Sequence, residues 1–142
     1  MASPTSADFF DFNSPRLIST EKSYDPVQMQ IELLREFAAQ GNTSTKEMQS
    51  HYQSTIMFCI NSEKGEQAIE LLNEIETKNI YADAPEAKTK LFSSVIDKLI
   101  LKGLHANADE VFKAADAKGV WKNFPTERST AVEQLGQVGF RY

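Results

Sequence analysis

A thiol and an imidazole on one helix would suit nucleophilic catalysis, and His51 and Cys59 are such a pair, eight residues apart. That spacing puts them on one side of a helix but roughly 12 Å apart along its axis, too far for a proton transfer. Cys59 therefore reads as a buried structural side chain. His51 and His105 are the only histidines, and neither has a partner at metal-ligand spacing, so no cofactor or metal is expected. The six glycines are scattered at helix ends or in the last helix, which excludes a glycine-rich phosphate loop. Glu63, Glu66, Glu70 and Glu74 have helical spacing; such a run can hold a cation but is read here as a solvated face. Lys90, Lys98 and Lys102, with Ser94, form a stripe that suits phosphates, an acidic partner or simple solubility. With no catalytic constellation assembled, the chain is not expected to be an enzyme.

At 142 residues, 41% hydrophobic, the chain fits one domain with a continuous core. A net charge of -5 weighs against a general nucleic-acid binder, which carries a basic excess. The charge is unevenly spread: residues 1–76 hold 12 acidic and 5 basic side chains, residues 77–142 hold 8 and 10. A single cysteine excludes an internal disulfide. No apolar run approaches the length of a membrane span, so a soluble intracellular protein is expected.

Residues 1–24, rich in Ser, Pro and Asp, read as an extended tail without the arginine-rich, acid-poor character of a transit peptide. Phe9, Phe10 and Phe12 in that tail either anchor a partner or fold back on the chain's own core. Beyond the tail the punctuation is helical. Asp25 before Pro26 starts a helix that Gly41 stops, with Gln30, Leu33, Leu34, Phe37 and Ala38 expected on its inner face. Ser44 with Glu47 forms a capping box for a helix through Met48, Tyr52, Ile56 and Ile60, in which Met57 and Phe58 add a second apolar face. A third helix carries Ala68, Leu71, Leu72 and Ile75 and stops near Asn79; Pro85 opens a fourth, closed by Gly103. The fifth holds Ala108, Val111, Phe112 and Ala115 before Gly119, and Pro125 starts a sixth with Val132 and Leu135 inward.

Two of these segments match when slid by 40 residues: Ala68, Leu71, Leu72, Lys78, Ile80, Asp83 and Pro85 answer to Ala108, Val111, Phe112, Lys118, Val120, Asn123 and Pro125. A period of this size is the mark of a helical repeat array, in which each hairpin buries its apolar face on its neighbours. The fold expected is an all-α, right-handed array of about six helices, divided into a half unit 25–43, units 44–83 and 84–123, and a half unit 124–142.

Phe92, Ser93, Ile96, Gly103, Ala108, Phe112, Gly119 and Val120, with Tyr52, Gln53, Ile56, Ala68, Leu72, Ile75, Asn79, Ile80 and Asp83 in the preceding unit, resemble a pentatricopeptide repeat. The resemblance implies that first helices line an inner groove. It also implies that RNA, if bound, is read by Gln53 and Ser93 together with Asp83 and Asn123, and that the protein resides in a mitochondrion or plastid. The 40-residue unit is longer than the family's usual repeat, and the extra residues around Ala84 to Lys90 separate Asp83 from Ser93. Other α-solenoids of this period share the pattern.

These features point to a non-catalytic interaction module: a scaffold, linker or accessory subunit whose partners are other protein subunits. Single-stranded RNA binding is the alternative, opposed by the net charge. Phe9, Phe10 and Phe12, Met29 and Phe37 at one end, and Phe140 and Tyr142 at the other are candidates for burial against a partner, the last two being read by default as a frayed terminus.

Overall fold

The computed structural model describes residues 25–41 and 43–142. The tail assigned to residues 1–24, with Phe9, Phe10 and Phe12, lies outside the described residues. Six α-helices and no strand are found among the described residues: α1 Pro26–Ala39, α2 Thr45–Asn61, α3 Gly65–Thr77, α4 Pro85–Leu101, α5 His105–Ala117 and α6 Pro125–Gln137. The chain divides into two compact units, Met1–Glu32 and Leu33–Tyr142.

In the first unit, the carboxylate of Asp25 caps the start of α1 by accepting from the backbone N–H of Val27 at 3.0 Å and of Gln28 at 3.4 Å. Along α1, which enters the second unit at Leu33, the buried residues are Val27, Ile31 and Leu34, while Gln30 and Leu33 are exposed and Phe37 and Ala38 half-buried. The inner face expected from the sequence is thus corrected. The i, i+4, i+7 set begins at Val27, which turns Gln30 and Leu33 outward.

In the second unit the first helices of each hairpin, α2, α4 and α6, pack side by side, and the second helices α3 and α5 cover them. The 40-residue periodicity is reproduced in the backbone. Left-handed residues close both intra-hairpin turns, Glu63 (φ 61°) and Gly103 (φ 78°), and both connectors, Asn79 (φ 54°) and Gly119 (φ 74°). Glycine adopts this region freely and asparagine tolerates it; glutamate does so at a cost of about 1 kcal/mol. The bonds that end each helix match as well: Lys64 N–H to Cys59 O and Leu104 N–H to Leu99 O are both 2.8 Å, and Ile80 N–H to Ile75 O (3.0 Å) answers to Val120 N–H to Ala115 O (2.9 Å).

The core lies between the two layers. Tyr52, Ile56, Ile60, Leu71, Ile75, Val95, Ile96, Leu99, Val111, Phe112 and Leu135 are all buried. Each large apolar side chain contributes about 1.5–3 kcal/mol by leaving water. Two expectations are revised by this packing. Phe58 stays 36% exposed and Met57 half-buried, so the second apolar face of α2 is covered only in part. In α6 the inward residues are Ala131 and Leu135, with Val132 half-buried.

Within the second unit, ion pairs tie successive repeats at matching positions. Arg128 donates to Asp116 through Nε at 2.9 Å and Nη2 at 3.2 Å, holding the Asp116 carboxyl below the usual carboxylate range. Forty residues earlier, Lys88 Nζ sits 3.0 Å from Glu76 Oε2, out of line for a hydrogen bond, so that contact is electrostatic. Glu74 departs from the solvated face expected for its acidic run. Its carboxylate accepts from Arg35 Nη2 at 2.5 Å and from the Tyr52 hydroxyl at 3.0 Å, with Lys78 Nζ at 3.7 Å. Burial first, and the Glu74 carboxylate second, push the Tyr52 phenol well above its ordinary range.

Candidate partner-binding groove

A groove of about 410 Å³ opens between α2 and α4. One wall carries Lys46, Ser50 and Gln53 of α2, the other Lys90, Leu91 and Ser94 of α4, and Tyr81 of the connector closes it. The polar groups presented are ammonium, hydroxyl and amide, able to hold an extended chain by hydrogen bonds and charge.

The sequence builds this groove locally before the fold assembles it. Ser44 Oγ accepts from the Glu47 N–H at 3.1 Å and Glu47 Oε1 accepts from the Ser44 N–H at 3.3 Å, fixing the first turn of α2 and with it Lys46. Gln49, one turn from Lys46 on the same helix, then pins the connector: its Nε2 donates to Ile80 O and to Asp83 Oδ1, both at 3.0 Å. The Tyr81 hydroxyl returns a bond to Gln49 O at 3.2 Å, and burial raises its pKa. A glutamine side chain here does what a backbone ladder would do elsewhere, holding an irregular segment against a helix.

The next junction, between α4 and α6, is built from different residues at the same positions. Thr89 replaces Gln49 and bonds Val120 O at 3.1 Å, the counterpart of Ile80 O. Trp121 replaces Tyr81 and is buried, its indole N–H without a partner. Ser93 replaces Gln53 and its hydroxyl is shielded without a partner.

Of the residues singled out in the sequence, Gln53 and Lys90 line the groove together. Ser93 is turned inward, and Asp83 is taken up by Gln49. Asn123 is exposed on the second connector. Lys98 is half-buried and Lys102 exposed; Lys102 lies roughly 18 Å along α4 from Lys90, so the lysine stripe spans more than one site. Phe140 is half-buried, and Tyr142 folds back with its ring 4.5 Å from that of Phe112 and its hydroxyl on Asp109. Phe37 is half-buried with its ring 3.9 Å from that of His51, and Met29 is exposed. Lys46, Gln49, Ser50 and Tyr81 are groove residues that motif reading passes over. The 40-residue offset pairing Gln49 with Thr89 and Tyr81 with Trp121 is the signal that marks two of them.

Among the described residues, no cluster of His, Cys, Asp and Glu could hold a metal ion, and no helix is long and apolar enough to cross a membrane. No family model, curated protein or solved structure matches this chain.

Proposed function

We propose that this chain is a non-catalytic helical-repeat interaction module, a scaffold, linker or accessory subunit of a larger complex, and that the α2–α4 groove holds a segment of a partner protein. The observation carrying this reading is the groove itself: an open channel of about 410 Å³ whose walls offer hydrogen-bonding and cationic groups on rigid helices. Rigid walls favour binding because little side-chain and backbone freedom is left to lose. Residence in an organelle accompanies this reading only through the resemblance to pentatricopeptide repeats.

Single-stranded RNA is the second reading, favoured by Gln53 and Lys90 standing in one groove. Against it, the Ser93 hydroxyl is shielded inside the fold and Asp83 is taken up by Gln49, so the residues that would read a base do not converge. Site-specific photo-crosslinking in the native cell separates the two. A photoreactive phenylalanine at Gln53 is expected to yield protein adducts, whereas the same residue at the exposed Glu110 of α5 yields none. RNA adducts at Gln53, or no adduct there, would overturn the proposal.

A further inference from the structure

We propose that the α2–α4 groove takes an acidic, extended stretch of a partner polypeptide, whose carboxylates meet Lys46 and Lys90 while Ser50, Gln53 and Ser94 hydrogen-bond its main chain. This rests on the reading of the groove as a partner site and adds the chemistry of the partner.

Charge is the ground for it. In a chain of net charge -5, the side chains lining this groove include two lysines and no carboxylate. Lys46 stands in the first turn of α2, where a cation opposes the helix dipole, and no carboxylate lies within ion-pair distance of it among the described residues. Lys90 has only Glu86, 3.5 Å away and 70% exposed, a contact that water screens heavily. By the repeat register Lys46 matches Glu86, which places Lys90 one turn further along its wall than Lys46 is along the other. The offset along the groove is roughly 6 Å, about two residues of an extended peptide.

The cations do not recur, and this distinguishes a peptide from a nucleic acid. Forty residues on from Lys46 and Lys90 stand Glu86 and Thr130, so the pair of cations that a phosphodiester running from unit to unit needs is absent at the next junction. Tyr81, the aromatic residue of the groove, is 4% exposed, with its hydroxyl committed to Gln49 O, and presents no free face for a base to stack on. A short acidic segment needs one such site and no periodicity.

The test is fluorescence anisotropy with the full chain and three labelled probes: an alternating Glu/Ser peptide, an alternating Lys/Ser peptide of the same length, and single-stranded oligouridine. It is paired with amide chemical shifts. The acidic peptide is expected to bind and to move the amides of Ser50, Gln53 and Ser94. The double variant Lys46→Glu/Lys90→Glu is expected to weaken it by about tenfold, whereas Lys102→Glu changes it by less than about twofold. Circular dichroism checks that both variants stay helical. Failure of the acidic peptide to bind, binding unchanged in the double variant, or groove shifts with oligouridine or the basic peptide instead, overturns the inference. Protein adducts at Gln53 in the crosslinking experiment, alongside any of those results, leave the partner-binding reading standing and remove only the acidic class.

Discussion

Thr89 Oγ lies 3.1 Å from the carbonyl oxygen of Val120 and 3.0 Å from that of Pro85, fully buried beneath the second connector. The hydroxyl carries one proton, so its own helix and the connector that leads to α6 compete for it. Gln49, with two amide protons, binds both Ile80 O and Asp83 at the equivalent position. The two units thus use different side chains for one task, holding the connector on the first helix.

Replacing Thr89 with Val keeps the shape and removes the donor, leaving Val120 O without its side-chain partner in a buried place. A loss of about 1–2 kcal/mol is expected in urea denaturation, largely recovered by Thr89→Ser, which restores the hydroxyl. Equal stability of Thr89→Val and the parent chain would show that the bond carries no net weight.

Stability should fall at alkaline pH, with Tyr52 as one cause. Its folded pKa is raised, so its contribution is fully present below the unfolded value of about 10 and is lost as pH rises above it, where the unfolded chain releases a proton that the folded one keeps. Tyr81 acts in the same direction. Urea midpoints measured between neutral pH and the upper end of the accessible range should drop less steeply for Tyr52→Phe than for the parent. At neutral pH that variant loses about 1 kcal/mol with its bond to Glu74.

Gly65 opens α3 where Asn107 of α5 presses against it, leaving no room for a Cβ. Asn107 also donates to Glu66 Oε2 at 3.0 Å. Gly65→Ala is expected to drive the Asn107 side chain away and to cost about 1 kcal/mol. Adding Asn107→Ala should remove the collision, so a double-mutant cycle by chemical denaturation should show strong non-additivity. Additive effects would place the cost in the backbone instead.

Tyr142 covers Phe112 at the end of the second unit. Arg128 approaches the same ring, 5.2 Å from its centroid, and Trp121 stacks 6.0 Å away. Truncation by Tyr142→Ala should lower stability by about 1 kcal/mol, most of it from the ring contact, so Tyr142→Phe should retain the larger part. An unchanged urea midpoint for Tyr142→Ala would mean that the terminus contributes no packing energy.

Local chemistry determined the helices of this chain. Asp25 before Pro26, the Ser44–Glu47 box, the prolines at 85 and 125, and the turn residues Asn79, Gly103 and Gly119 act within a few residues of themselves, so the sequence alone places the helix ends and the 40-residue unit. Only the tertiary structure decided which equivalent polar groups reach the groove. Gln53 lines it, while the hydroxyl of Ser93 is drawn inside, because burial depends on the neighbouring helix and on side-chain size across the junction. The same dependence turns Glu74 from a solvated carboxylate into the partner of Arg35 and Tyr52, a contact spanning 39 residues to Arg35 that no local spacing encodes.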